Sequence, residues 1–351
     1  MAITPLNLHD FELLAREKLS PMAREFLAGG AGDEVTLRWN RESYERIRLR
    51  PRVLEDVTSI DTRVTLFGET MASPVLLAPV AYQRLAHADA EMESARGAGA
   101  AGAVYVVSTA TNCSIEEIEG AASAPLWLQI YIQEDREITR ELVARAEAAG
   151  VRALCLTVDT PVLGTRNRQA RAGFRLPAEL PTPHLDSANR ERLAVVSGTR
   201  VAVTWKDVAW LRSIARVPVL LKGILDPDDA ARALEHGAEG IVVSNHGARN
   251  LDTVPATIDA LPHIAERVAG RVPLLVDGGI RRGTDVVKAI ARGANAVLIG
   301  RPYVYGLAVD GAAGVARVVS ILREELETSM ALLGRARLAD LDRSVLWQLT
   351  P

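Results

Sequence analysis

Cysteine is scarce: the 351 residues hold only Cys113 and Cys155. Two thiols cannot make a disulfide framework, so both are read as free and the compartment as reducing. No apolar run approaches the roughly 18 residues that a membrane-spanning helix needs. The polar, amphipathic stretch Met1–Leu19 lacks the apolar core of a signal peptide. A soluble, cytoplasmic chain that does not touch a membrane is expected. An excess of either charge is also missing. Lys and Arg number 41 against 44 Asp and Glu, a formal net charge of -3, and the basic residues are scattered. Scattered charge leaves no electrostatic footprint for a nucleic acid, so none is expected as a partner.

What is present is a core and a repeat. The chain is 48% hydrophobic, enough for a large interior. An Ala-rich helical run ends in glycine and a short apolar strand follows. Gly102 precedes AVYVVS, Gly150 VRALCLT, Gly237 AEGIVVS and Gly293 ANAVLIG. Glycine just past a helix takes the left-handed cap conformation at little cost. The β-branched, apolar runs suit strands buried on both faces. PVLLAP (Pro74–Pro79), LWLQIY (Leu126–Tyr131), VPVLLKG (Val217–Gly223) and PLLVDGG (Pro273–Gly279) complete a set of eight. Asp226 and Pro227 read as N-cap and first residue of one helix, Thr284 as the N-cap of another. Eight strands alternating with helices predict an α/β fold, a (β/α)8 TIM barrel, with an open doubly wound sheet as the alternative. The expected layout is one domain over 1–351. Residues 1–70 form a lead-in with helices in LHDFELLAREKL and MAREFLAGG. The barrel occupies 71–334, with an exposed polar loop or lid at about 161–203, and 335–351 is a tail.

In such barrels chemistry sits at the C-terminal strand ends. Those ends carry Pro79-Val80-Ala81, Ser108, Gln129 with Tyr131, Thr157 with Asp159, Lys222, Ser244-Asn245-His246, Asp277-Gly278-Gly279 and Gly300-Arg301. Small and hydroxylic residues let a flat ring approach, although any one of them could simply relieve crowding. The stretches DGGIRRGTDV (Asp277–Val286) and IGRP (Ile299–Pro302) pair glycine with arginine where these barrels hold phosphate; the alternative is two tight turns. Of six histidines, only His246 falls at the mouth. It has the pKa range for proton transfer, and Asp159 could orient it. Arg166 and Arg249 together could clamp a carboxylate, although singly each would be read as a surface residue. Lys222 ends an apolar strand and needs a partner, which a ligand anion would supply. No metal site is expected.

The motifs LTVDTPVLG, LKGI, SNHGARNLD, DGGIRRGTDV and IGRP occur in this order, and the chain resembles the FMN-dependent 2-hydroxy acid oxidase and dehydrogenase family from about Leu19 to Gly334. The resemblance implies oxidation of an (S)-2-hydroxy acid to the 2-oxo acid, with reoxidation by O2 to give H2O2 or by another acceptor. It implies FMN held by Pro79, Val80, Ala81, Ser108, Gln129, Tyr131, Thr157, Lys222 and Ser244. The phosphate would lie on Asp277, Gly278, Gly279, Ile280 and Arg281, and on Gly300 and Arg301. His246 would be the base, supported by Asp159. Arg166, Arg249 and Tyr131 would bind substrate, and Lys222 would offset charge on the cofactor. Hydride and carbanion routes both stay open. A homo-oligomer, tetramer or octamer, is implied as well. Two positions depart from the pattern of small-acid oxidases: Phe26 stands where tyrosine is usual and Ala110 where tryptophan is usual. Both favour a bulky or aromatic substrate, with core packing as the alternative for Phe26. FLAGG and APVAYQRL resemble bacterial 4-hydroxymandelate oxidases. The rivals are an acceptor-linked dehydrogenase, an isomerase-type FMN barrel and a non-catalytic scaffold.

Overall fold

The computed structural model describes residues 4–185 and 203–347. Eight parallel strands close into a barrel: β3 (Val75–Leu77), β4 (Tyr105–Val107), β5 (Leu126–Ile130), β6 (Leu154–Thr157), β7 (Val219–Ile224), β8 (Gly240–Val243), β9 (Leu274–Asp277) and β10 (Ala296–Ile299), which pairs back onto β3. The barrel, and not the open sheet, is the outcome of the repeat. The glycines that end the preceding helices all take positive φ. Asp226 caps the helix that starts at Pro227, as expected.

Strand alternation divides the core in two. Val75, Leu77, Tyr105, Leu128, Leu154, Leu221 and Val276 point outward and pack against the helices. Leu76, Val106, Trp127, Cys155, Leu220, Val242, Leu275 and Leu298 point inward and fill the barrel. Side chains two residues apart on a strand share a face. The same inward face therefore delivers Ala78, Ser108, Gln129, Thr157, Lys222, Ser244, Asp277 and Gly300 to the upper end. A period of two builds both the packed interior and the floor of the site.

The lead-in supplies α1 (Leu8–Lys18), α2 (Pro21–Ala28) and α3 (Val35–Arg46). The first two match the expected helices; α3 and a hairpin of β1 (Val64–Leu66) and β2 (Glu69–Met71) do not figure in the sequence reading. Leu66, Met71 and Phe67 of the hairpin join the inner cluster and close the lower mouth, Phe67 meeting Trp127 edge-on at 5.5 Å. Thr284 is not a cap. That helix starts at Gly283, because Asp285 Oδ2 accepts the backbone N–H groups of Arg281 and Arg282 at 2.9 and 3.0 Å. The helix Arg301–Leu332 is long and apolar enough to cross a membrane. It is nevertheless mostly buried and breaks at Asp310 and Gly311, as a core element. Cys113 and Cys155 are free and buried.

Of the expected exposed lid at 161–203, residues 161–185 and Val203 are described, and they mix exposed with buried positions. Arg166, Phe174 and His184 are buried there, because the segment packs onto α2 and onto the loop after β4. The rest of that lid lies outside the described residues, as does the end of the 335–351 tail.

Candidate active site

A cavity opens at the C-terminal end of the barrel, enclosing about 1190 Å3 of space in part continuous with solvent. Pro79, Val80, Ala81, Ser108, Gln129, Tyr131, Thr157, Lys222, Asp277, Gly278, Gly279, Ile280, Gly300 and the four arginines Arg166, Arg249, Arg281 and Arg301 line it. His246, Phe26 and Ala110 line it too, so two of the sequence departures face the same space. Leu27, Tyr82, Leu163 and Gly247 also line it and escaped the sequence reading.

Lys222, Ser244 and Asp277 form a buried chain across three strands. Lys222 Nζ donates to Ser244 Oγ at 2.8 Å and lies 3.1 Å from Asp277 Oδ2, while Ser244 Oγ–H donates to Asp277 Oδ2 at 2.9 Å. Burial alone would lower the Lys222 pKa, but Asp277 and Asp159 outweigh it and raise it, so the ammonium is fixed. This corrects two expectations. The partner of Lys222 is Asp277, brought opposite by strand register, and not solely a ligand anion. Ser244 does not line the cavity, because its hydroxyl is spent beneath it in this chain.

His246 sits just past β8 with φ of 57°, and Gly247 and Ala248 follow at 61° and 60°. Three successive left-handed residues are unfavourable unless the surroundings hold them. Ser244 Oγ accepts from His246 N at 3.1 Å, and Ala248 N donates to Asn245 Oδ1 at 3.1 Å. The Asn245 amide in turn exchanges hydrogen bonds with Asn40 of α3 at 2.9 and 3.0 Å. Turned this way, His246 Nδ1 lies 3.0 Å from Asp159 Oδ1. Gly223 makes the approach possible: it forms a bulge at φ of 112°, and a Cβ there would lie 2.5 Å from the Asp159 side chain. Burial lowers the His246 pKa against the pull of Asp159. Burial works against the charge of Asp159, yet His246, Lys222 and Thr160 together hold its carboxyl below the usual range. The resting pair is a carboxylate and a neutral imidazole, which suits proton acceptance. Asp159 itself does not line the cavity and acts behind His246.

The cavity also holds a cluster of cations. Arg249 Nη1 donates to Phe26 O and Gly29 O at 2.7 and 2.8 Å. Arg301 reaches Leu27 O and Gly29 O at 2.9 and 3.0 Å. Both therefore cap the carbonyl end of α2 and tie the lead-in to the mouth. Arg166 Nε donates to Arg249 O at 3.0 Å, and Arg281 Nη1 to Ile280 O at 2.9 Å. Among the described residues none of these four arginines forms an ion pair. Burial depresses the pKa of all four, Arg281 to about 10; Arg301 deepens the fall at the other three, while Glu12 opposes it at Arg281 and Arg301 and Glu34 at Arg301. Buried cations without carboxylates call for anions. Phe26 is buried under this cluster, stacked on Phe174 at 4.5 Å with Arg249 over its other surroundings at 5.1 Å from the ring centre. Gly278 and Gly279 take positive φ, and neither has room for a side chain: a Cβ would meet Thr257 Oγ1 and the Asn40 amide at Gly278 and the Asn40 backbone carbonyl at Gly279.

Comparison with known proteins agrees with this geometry. The sequence profile of the family described as FMN-dependent dehydrogenase matches residues 15–348. The chain is 48% identical to an L-lactate oxidase of Nostoc sp., covering 98% of each chain. It is 43% identical to a glycolate oxidase of Spinacia oleracea, covering 96% of this chain and 94% of that one. A solved mandelate oxidase with (S)-2-phenylpropionate has a TM-score of 0.91 at 41% identity, covering 98% of each chain.

Proposed function

The chain belongs to the FMN-dependent dehydrogenase family, and on that footing we propose that it oxidises an (S)-2-hydroxy acid to the 2-oxo acid, with FMN as cofactor and molecular oxygen as final acceptor. One observation carries the reading: four guanidiniums with no ion pair among the described residues line one cavity together with a neutral His246 that Asp159 holds from behind.

The residues fit FMN. Gln129 Nε2 is buried with no partner among the described residues, a donor that a polar ring edge would satisfy. Pro79, Val80, Ala81, Ser108, Tyr131, Thr157 and Lys222 would hold the ring with it, Ser244 acting through Lys222. The phosphate would lie on the loop Asp277, Gly278, Gly279, Ile280 and Arg281, with Gly300 and Arg301. When bound, FMN supplies the two-electron acceptor for the substrate Cα–H bond.

The chain supplies the rest. Arg166 and Arg249 bind the substrate carboxylate with charge-assisted bonds. Tyr131 gives the substrate a further hydrogen bond. His246 accepts the proton that the hydroxy acid releases, and Asp159 stabilises the imidazolium. Ala110 and Phe26, small and apolar at the cavity wall, support an acid larger than glycolate. The test is anaerobic mixing of the yellow protein with (S)-lactate, (S)-mandelate and glycolate. Loss of the flavin colour, regained with H2O2 on admitting oxygen, is expected. A spectrum that no 2-hydroxy acid changes would overturn the reading.

A further inference from the structure

We propose that Thr160 and Asn250 are a positioning pair that sets the direction of the hydrogen bonds at Asp159 Oδ1 and so tunes how strongly Asp159 holds the Nδ1 proton of His246. The proposal rests on His246 being the base. It concerns residues absent from the cavity wall: Thr160 is buried behind Asp159, and Asn250 lies on the loop that follows His246.

The argument starts at the Asn250 amide. Its Nδ2 lies 2.9 Å from the Asp159 backbone carbonyl and 2.9 Å from Thr160 Oγ1. Its Oδ1 faces the Arg166 guanidinium at 3.5 Å. A flipped amide would set oxygen against a carbonyl and NH2 against a cation, so the surroundings dictate the orientation. An amide nitrogen only donates, so Thr160 Oγ1 must accept there. The single Thr160 proton is then directed at Asp159 Oδ1, 3.1 Å away, which as a carboxylate only accepts. No Thr160 proton remains for His246 Nδ1 at 3.4 Å. Nδ1 faces a carboxylate oxygen at 3.0 Å and therefore carries its own proton. Nε2 is left with its lone pair. The polarity runs one way, from Asn250 through Thr160 to Asp159, with His246 donating to the same oxygen.

The two loops are built to keep this register. Gly164 passes so close that a Cβ there would fall 2.6 Å from the Asn250 Cα. Thr160 also lies beside the Tyr131 phenol, so the pair neighbours three of the groups assigned to chemistry. The charged groups facing His246 are Asp159, Lys222 and Arg166. Those facing Asp159 are His246 and Lys222, and the Tyr131 phenol also feels its charge. Lys222 and Arg166 keep their charge throughout the working range, so Thr160 and Asn250 set how much of the Asp159 charge reaches His246.

The test uses the FMN-loaded enzyme. Thr160→Val keeps the shape and removes the proton donor. Asp159 then holds the Nδ1 proton more tightly, the imidazolium is favoured, and the acid limb of kcat/KM moves up. A shift of about half a pH unit is expected, part of one charge-assisted hydrogen bond, with FMN affinity unchanged. Thr160→Ser restores the limb. Asn250→Ala shifts it less in the same direction, and the double variant shifts no further than Thr160→Val, because both act through one bond. Independently of turnover and of any variant's folding, 15N spectra of the histidine-labelled wild type should show neutral His246 protonated at Nδ1, and in Thr160→Val its titration midpoint should rise. An Nε2–H form in the wild type, or a Thr160→Val limb and midpoint that stay put, overturns the pair. His246→Ala separates the two levels: if it still turns over, the base assignment fails. If it is inactive while Thr160→Val shifts nothing, only the pair falls.

Discussion

Two sets of residues at the barrel mouth solve the problem of buried charge in opposite ways. Towards β6, β7 and β8, each charge has its partner inside the chain: Lys222 with Asp277, and Asp159 with His246 and Thr160. Arg166 and Arg249, on the loops after β6 and β8, and Arg281 and Arg301, after β9 and β10, form no ion pair among the described residues: their hydrogen bonds go to carbonyl and amide oxygens, and Glu12 acts on Arg281 and Arg301, and Glu34 on Arg301, only from a distance. The matched charges already have an ionic partner in the chain, although Asp159 Oδ2 and Asp277 Oδ1 are buried without a hydrogen bond among the described residues, and their role is to set reactivity. Unmatched ones are complete only with anions, so their role is to bind. A carboxylate and a phosphate are the two anions that the proposed reaction brings.

The division breaks most visibly at His246. His246→Ala should lower kcat by about a thousandfold, within the usual worth of a general base, while FMN stays bound. Anaerobic stopped-flow reduction measures the first and the flavin spectrum after gel filtration the second. Loss of FMN in place of rate would put His246 on the binding side.

The arginines should behave the other way. Arg249→Ala is expected to cost about a hundredfold in kcat/KM for the hydroxy acid, the range found when one member of a buried charge pair is truncated. FMN affinity should hold. Arg301→Ala should instead weaken FMN by about tenfold or more, read by fluorescence titration of the apoprotein, and leave KM little changed in the reloaded enzyme. Equal effects of both variants on FMN and substrate would erase the distinction between the two anion sites.

A third way to handle a buried ionisable group appears at His184, which stays neutral. Its Nε2 accepts the Ile115 N–H at 2.9 Å, and Nδ1 meets Thr111 Oγ1 at 3.2 Å. Burial and then Arg145 push its pKa from 6.5 to about 4. The unfolded chain therefore takes the proton first as pH falls. Stability from this group is complete above about 6.5 and is lost as pH falls towards about 4, a difference of about 3 kcal/mol. Thermal unfolding at pH 7 and pH 4.5 should show the decline, and His184→Gln should flatten it. An unchanged slope in that variant would assign acid sensitivity to other groups.

What the sequence made legible follows from chain distance. Strand ends were readable because a two-residue period and a terminal glycine are local signals, and the cavity-lining set came from them almost whole. Lys222 was readable as a buried cation, but its partner was not, since Asp277 arrives through pairing of β7, β8 and β9 and not through any spacing. For the same reason the sequence does not reveal that the Ser244 hydroxyl links Lys222 to Asp277. Asn40 and Thr160 give no signal, and Asn245 and Asn250 show their position but not their use, because the partner of a side-chain amide or hydroxyl depends on which loop folds against it. The one hint was Asn250 beside Arg249 in SNHGARNLD. The hairpin β1–β2 was missed because three-residue strands carry no period, and α3 because its buried face includes Thr36, Asn40 and Ser43.

The smallest effect bears on where the two sets meet. Phe26 is buried, stacked on Phe174, with the Arg249 guanidinium 5.1 Å from its ring centre. The ring therefore supports an unmatched cation without neutralising it. A tyrosine hydroxyl here would add a neutral donor beside the proposed carboxylate clamp and take up room that a larger substituent would use. Phe26→Tyr should raise kcat/KM for glycolate or lactate relative to mandelate by about fivefold, the worth of one net hydrogen bond, and leave the acid limb of the pH profile in place. If the ratio stays fixed, Phe26 serves only to carry Arg249 and to pack α2, and the choice of substrate passes to Ala110, whose replacement by tryptophan should then favour the smaller acids. If the acid limb moves as well, the aromatic face reaches His246, and binding and proton transfer share residues after all.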